Sequence, residues 1–352
     1  MSATPNTAVL EDPRYRDHAP AGPHPESPDR LRAVARAIAE RADRVVRRAP
    51  RTASDEEILR IHSRDHLAAI RAAVAAAPAW LDPDTYVSER SLEVARLAAG
   101  GAIELARAVV RGEFESGFAA IRPPGHHAEA ARAMGFCLFN NVAVVARDLQ
   151  HTEGLERILI LDWDVHHGNG SQHSFEDDPS VLYVSTHQFP YYPGTGDVSE
   201  AGVGRGLGAT VNIPLPAGCG DADYIGVLRR LLVPIAQRFR PEVVLVSCGF
   251  DAHRDDPLAS MQLTRSGFEE MTRIVRGLAA DVCGGRLVFL LEGGYAERGL
   301  YEGTGAVLDV LLASPIAPLA PLAEPPPGSI LRRVIDDVAR VHGGRHPDLG
   351  TA

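Results

Sequence analysis

The stretch LDWDVHHGNG (161–170) sets Asp162, Asp164 and His166 at alternating positions. An extended backbone sends every second side chain to one face, so these three project together while Trp163 and Val165 point the other way. They follow directly on the apolar run 158–161, as though a buried strand ended on charge. Carboxylates without partners are very costly to desolvate. A bound cation is the simplest compensation. The cysteines Cys137, Cys219, Cys248 and Cys283 lie far apart without a CxxC pair, which excludes a thiolate cage and gives no disulfide framework. A transition metal here must be held by imidazole and carboxylate.

Three further polar clusters stand in the same relation to an apolar run. His126 and His127 (RPPGHH) follow GFAAI, Asp251 (CGFDAHRDDP) follows EVVLVS, and Tyr295 (EGGY) follows RLVFLL. Singly, each has a plain structural reading: a loop detail, a helix cap, a packed turn residue. Together they fall where ligands sit in doubly wound sheets, outside the carboxyl ends of the strands. Independent accidents would not all collect there.

The elements that must position these groups are legible as short apolar runs at 117–121, 157–162, 181–186, 209–213, 242–247 and 286–292. Continuous runs separated by helix-period segments describe an α/β fold with a mostly parallel sheet and helices on both faces. Helices are expected over 223–239 and 264–280, with Thr264 as N-cap. The segments PDRLRAVARAIAERADRVV and IHSRDHLAAIRAAVAAA also read as helical. The proline-rich connector 314–329 excludes helix and central strand. It should lay a last helix, about Ser329 to His342, back on the same body, since too few residues follow to form a core. The expectation is one domain over 1–352, with the chemistry-bearing motifs in about 25–312.

The formal charge of -10 argues against a general nucleic-acid binder. The N-terminus has no basic segment leading into an apolar one, and no apolar run is long enough to span a bilayer. A cytoplasmic protein without membrane partners is expected.

The motifs HPESPDRL, RPPGHHAEAARAMGFCLFNN, LDWDVHHGNGSQHSFEDDPSVLYVSTH, YYPGTGD, SCGFDAHRDDPL and LEGGY, in this order over roughly Pro25 to Leu312, resemble the zinc-dependent histone deacetylase family. The resemblance is to its class II branch, with the bacterial histone deacetylase-like amidohydrolases. It implies an arginase/deacetylase-like single domain and a Zn²⁺ held by Asp164, His166 and Asp251, with open positions for water and a carbonyl. It implies His127 as general base and later acid, His126 acting by hydrogen bond and charge, and Asp162 orienting His126. Asn169 stands where class I members carry aspartate and is a branch marker. Tyr295 would donate to the developing oxyanion. Phe136 and Tyr192 would wall an aliphatic linker, with the Gly135 carbonyl near the amide N–H.

Leu258 lies where the polyamine-preferring animal branch has a glutamate, which disfavours a substrate with a second ammonium. The resemblance also implies a structural K⁺ or Na⁺ at Asp162, Asp164, His166, Ser185 and Thr186. The expected activity is removal of acetyl or another short acyl group from the lysine amine of proteins or peptides. Hydrolysis of an acetylpolyamine or other small acylamide is the alternative within the same chemistry. A two-metal ureohydrolase would share the DAH element at Asp251 to His253 but lacks its other aspartate-rich motif here. A non-catalytic acyl-lysine binder would be expected to have lost a ligand, a histidine or Tyr295, and none is lost.

Overall fold

The computed structural model describes residues 6–314, 319, 321–346 and 349. In chain order the strands are Thr7–Leu10 (β1), Val46–Arg48 (β2), Ala79–Asp82 (β3), Thr85–Val87 (β4) and Ser116–Ala119 (β5). Ile158–Asp162 (β6), Val181–Gln188 (β7), Thr210–Leu215 (β8), Val243–Cys248 (β9) and Leu287–Leu291 (β10) follow. Eight of them form one sheet in the order β2-β1-β5-β10-β9-β6-β7-β8, and every neighbouring pair is parallel. All five residues of β6 and all five of β10 are buried, so both faces of the sheet are covered. That is why these strands read as unbroken apolar runs. Each fully buried Leu, Ile or Val contributes roughly 1.5–3 kcal/mol relative to exposure.

The order has one consequence for chemistry. β5, β10, β9 and β6 are consecutive neighbours, in register at Ala119 with Leu290, Leu290 with Ser247, and Ser247 with Asp162. The four polar clusters therefore leave the sheet side by side.

All six expected strands are present within two residues of their expected ends, and four more are not among them: β1, β2 and the antiparallel hairpin β3–β4. The segment 28–46, expected to be helical throughout, is helix only over Arg30–Ala39. Arg41 turns back there, donating from Nη1 to the Ala37 carbonyl and from Nε and Nη2 to Asp309, and the chain leaves the helix before entering β2 at Val46. The helix expected over 223–239 is helical throughout but changes pitch. Asp221–Val227 and Val233–Phe239 flank a π turn at Leu228–Leu232. Pro234 explains this, since proline lacks an N–H and its ring crowds the carbonyl four residues back. Thr264 does occupy the N-cap of Arg265–Cys283, but its side chain does not cap that helix. Its hydroxyl donates instead to Asp221 Oδ2 at 2.6 Å, joining two helices.

In the connector 314–329, residues 315–318 and 320 lie outside the described residues. The carbonyl of Ala323 accepts from Arg230 Nη2 at 3.0 Å. The last helix, Ile330–His342, starts with the Ser329 hydroxyl accepting from Arg332 N, and packs on β8 and on Asp221–Val227.

Candidate active site

β6 ends on Asp162, and the next residues curl over the end of the sheet. Asp164 Oδ1 accepts from His166 N at 2.9 Å and Oδ2 accepts from Gly293 N at 2.7 Å, past the end of β10. Asp251, past the end of β9, accepts from Val165 N at 2.9 Å with Oδ1, while its buried Oδ2 has no hydrogen-bond partner. His166 Nδ1 lies 3.2 Å from that oxygen and 3.3 Å from Asp164 Oδ1. Candidate donor atoms of Asp164, His166 and Asp251 all fall within 4.8 Å of one another, and no other His, Cys, Asp and Glu group among the described residues does so.

Two glycines keep this space open. A Cβ on Gly249 would sit 2.1 Å from Asp164 Oδ2, and one on Gly293 would sit 2.1 Å from Asp251 Oδ2. Two buried carboxylates, one of them with an orphaned oxygen, and an imidazole are a donor set that fits Zn²⁺ with positions to spare. His253 of the DAH element is turned away, 3.3 Å from Glu302, so a second cluster of the ureohydrolase kind is not assembled among the described residues.

The two histidines after β5 are held differently. His126 Nδ1–H donates to Asp162 Oδ2 at 3.1 Å, and the Tyr183 hydroxyl donates to the same oxygen. His127 Nδ1–H donates to Asn169 Oδ1 at 2.8 Å, and Asn169 is oriented by giving its amide protons to Glu129 and to the His127 carbonyl. In His127 the Asn169 carbonyl oxygen fixes the tautomer and leaves Nε2 for chemistry. Burial opposes the charge on His126, but Asp164 and Asp162 outweigh it and hold the ring up at about 10. Burial, reinforced by the charges of His126 and His166, holds His127 well below the usual imidazole range. The two neighbouring rings are thus pulled in opposite directions, one by carboxylates and the other by burial beside cationic rings.

A cavity of about 240 Å³ opens from these groups to the surface, lined by Asp84, His127, Gly135, Phe136, His166, Tyr191, Tyr192, Leu258 and Tyr295. Phe136 meets Tyr295 edge-on at 5.7 Å, and Tyr192 meets His127 edge-on at 5.1 Å. Gly135 and Phe136 both have positive φ, 55° and 69°. Only glycine fits at 135, where a Cβ would come within 2.3 Å of His127 Cδ2. The strained turn is braced by the β3–β4 hairpin, since Asp84 Oδ1 accepts from Gly135 N and Thr85 Oγ1 from Phe136 N. Burial pushes the Tyr295 phenol far above its usual value, so it remains a donor.

Ser185 lies in register with Asp162 on β7. Its hydroxyl donates to His187 Nδ1 at 2.9 Å, while the buried Thr186 hydroxyl has no hydrogen-bond partner.

Seven of the nine cavity-lining residues are among those singled out from the sequence. Asp84 and Tyr191 are not, and neither is Glu292, whose buried carboxylate accepts from the amides of Gly125 and His126 and from the Ser247 hydroxyl. Its place inside LEGGY was the available signal.

The histone deacetylase domain model matches residues 24–311. The chain belongs to the histone deacetylase family. Members of this family are zinc-dependent amide hydrolases, and the fold is the arginase/deacetylase fold. The chain is 42% identical over 346 residues to "Histone deacetylase 15" of Arabidopsis thaliana, covering 95% of this chain and 62% of that protein. It is 39% identical over 353 residues to a "Probable deacetylase" of Archaeoglobus fulgidus, covering 96% and 97%. The chain thus spans less than two thirds of the plant relative and nearly all of the archaeal one. A crystal structure of an HDA15 HD domain superposes with a TM-score of 0.90 at 39% identity, over 99% of this chain and 98% of that one.

Proposed function

We propose that this chain is a class II-type zinc-dependent deacylase that removes acetyl or another short acyl group from the lysine side-chain amine of proteins or peptides. The observation that carries the reading is that His166 of the Asp164, His166 and Asp251 cluster lines one cavity together with His127, Tyr295, Phe136 and Tyr192. Asp164, His166 and Asp251 hold the zinc, which when bound polarises the acyl carbonyl and acidifies water.

The chain's own residues supply the rest. His127 Nε2, free because Nδ1–H is committed to Asn169, takes the proton of the attacking water and returns it to the departing amine. His126, charged and anchored on Asp162, donates a hydrogen bond beside it. Tyr295 donates its hydroxyl to the carbonyl oxygen as negative charge develops there. Phe136 and Tyr192 sheathe the methylene chain and exclude water, and the Gly135 carbonyl accepts from the scissile amide N–H. The unpartnered Thr186 hydroxyl, with Ser185 and the main chain of Asp162, Asp164 and His166, takes a structural K⁺ or Na⁺. Leu258 at the rim favours acyl-lysine over an acylated polyamine, because it offers nothing to a second ammonium.

The catalytic unit is one domain that includes the C-terminal helix. A reducing, cytoplasmic setting goes with four cysteines that are all free and buried. The test is to load the purified protein with zinc and assay acetyl-lysine peptides beside acetylated spermidine and putrescine. Faster turnover of the peptides is expected. Exclusive turnover of the polyamines would replace the substrate class, and binding of acyl-lysine without turnover would replace the enzyme by a binding module.

A further inference from the structure

Asp256 does not line the cavity, yet its carboxylate is buried, with 6% of the residue exposed, between two parts of the site. Oδ2 accepts from Tyr295 N at 2.7 Å and from Ala296 N at 3.1 Å. Oδ1 accepts from Leu258 N at 3.0 Å. One oxygen thus serves the segment carrying the phenol, and the other serves the rim of the cavity. Among the described residues no cationic side chain pairs with this carboxylate, so backbone amides and the N-terminus of the helix Glu297–Leu311 are what compensate its burial.

The chain needs such a hold at Tyr295. Gly293 and Gly294 precede it, and Gly294 has φ +118°, so the backbone entering the tyrosine is the most permissive available. Glycine is required at Gly293 by the approach of Asp251 and Asp164, so no side chain at 293 can help to hold the segment that follows. The ring is touched by the edge of Phe136 and by Arg30 at 4.9 Å from its centre. Arg30 donates to the carbonyls of Glu292 and Gly294, so it holds one side of the planar peptide that joins Gly294 to Tyr295. Asp256 binds the amides of Tyr295 itself and of the residue after it.

We propose that Asp256 is a positioning residue that aims the Tyr295 hydroxyl at the reacting carbonyl and keys the Leu258 rim to it. The inference rests on the deacylase reading, in which Tyr295 is the oxyanion donor. Because the two oxygens have separate duties, the two sides of the carboxylate can be told apart. In Asp256→Asn one oxygen is kept, and it satisfies two amides when it faces Tyr295 and Ala296 but only one when it faces Leu258. The amide NH₂ then meets the Leu258 N–H, donor against donor. The rim should loosen while the phenol stays aimed.

The experiment is steady-state kinetics on zinc-loaded protein with an acetyl-lysine peptide, alongside zinc content and hydroxamate affinity, for Asp256→Asn, Asp256→Ala, Tyr295→Phe and the double variant Asp256→Ala/Tyr295→Phe. Asp256→Ala should keep zinc and lose about 10- to 100-fold in kcat, the scale of a misaimed catalytic group. Asp256→Asn should keep kcat within about 3-fold and raise KM, a split expected when binding contacts change more than transition-state contacts. The double variant should be no slower than Tyr295→Phe alone, since a misaimed phenol has nothing to lose when its hydroxyl is gone. Multiplying losses in the double variant, loss of zinc from Asp256→Asn, or native kcat and KM in Asp256→Asn would each overturn the proposal. If Tyr295→Phe itself retains native kcat, the deacylase mechanism falls and this inference with it. A collapsed Tyr295→Phe beside a native-like Asp256→Ala overturns the inference alone.

Discussion

Two buried clusters in this molecule place a histidine beside a carboxylate, and they behave in opposite ways. His18 Nε2 lies 3.7 Å from Glu26 Oε2, and His126 Nδ1 lies 3.1 Å from Asp162 Oδ2. Burial holds His18 down at about 3, with the pull of Glu26 spent against the charge of Arg122. His126 is up at about 10 because Asp164 and Asp162 outweigh the burial. The difference is the supply of guanidinium. Glu26 is clamped by Arg122 through both oxygens and by Arg30 at 3.2 Å, and it also accepts from the Tyr86 hydroxyl. Although burial pushes the other way, Arg122 holds it far below the usual carboxylate range. Among the described residues no arginine pairs with Asp162, Asp164, Asp251 or Glu292, and Asp251 keeps an orphaned oxygen. A cluster that satisfies itself builds the fold. One left with surplus negative charge and an unpaired oxygen is arranged for something that arrives.

The comparison breaks most directly at Asp251. Asp251→Ala removes a ligand from the unsatisfied cluster and should lose zinc and turnover together, with the fold intact by circular dichroism. Full zinc occupancy, measured by mass spectrometry of the metal, would remove Asp251 from the ligand set. The matching change in the satisfied cluster is Arg122→Met, which leaves the buried Glu26 carboxylate with half its hydrogen bonds. Breaking a buried pair in this way costs about 3–5 kcal/mol, to be read as a fall in the urea midpoint. Zinc per folded molecule should not change.

Next in size is Tyr295→Phe. It keeps ring, packing and metal while removing one donor, and loss of one such donor lowers kcat by about 100- to 1,000-fold. A hydroxamate that chelates the metal should still bind, weakened by the roughly 0.5–1.5 kcal/mol of a lost hydrogen bond. Native turnover, or loss of zinc, would make the tyrosine a structural residue.

What could be read from the sequence follows the same physics. β5 to β10 were legible because strands covered on both faces must be apolar throughout. β1 shows only the apolar run Ala8, Val9 and Leu10 before Glu11, and β2 has three residues ending in the exposed Arg47 and Arg48 at the sheet edge, so neither offers a run as long as the one that extends β5 to residue 121. The charged residues at strand ends were legible because surplus charge behind an apolar run is anomalous. Asp84 was not, since it sits in the turn of a half-exposed hairpin and meets Gly135, 51 positions away, only in the folded chain. Tyr191 lies in a loop, where the alternation rule that sorts neighbouring residues onto opposite faces does not hold. Glu26 and Arg30 stand inside HPESPDRL and Arg122 opens RPPGHH, but the cluster they form with Tyr86 was not legible, because nothing in their spacing says that they meet.

The neutral buried histidines give a smaller and pH-dependent effect. His18 and His62 are held down at about 3, and His187 at about 4, by burial. Their folded values lie below the unfolded value of about 6.5, so between these limits the unfolded chain binds more protons and stability rises with pH. The melting temperature should therefore fall as pH is lowered from about 6.5 toward 4. Replacing His62 by Gln should flatten the slope without touching zinc, and an unchanged slope would assign the acid sensitivity elsewhere.

The smallest effect is expected at the rim, where Leu258→Glu would add a carboxylate outside both clusters. Leu258 is half-buried at the mouth of the cavity, so solvent screens a charge placed there. An exposed ion pair is worth about 0.2–1 kcal/mol, or roughly 1.4- to 5-fold in an equilibrium. The variant should raise kcat/KM for acetylated spermidine, which carries further ammonium groups, by about that factor. It should leave an uncharged acetyl-lysine peptide nearly unchanged. Because the added pair is screened, the gain should shrink as salt is raised from 0.01 to 1 M, over which the Debye length falls from about 30 to 3 Å. A large gain that survives high salt would mean that the rim is as dry as the centre. In that case the separation between a solvated mouth and an unsatisfied, buried metal cluster would have to be abandoned.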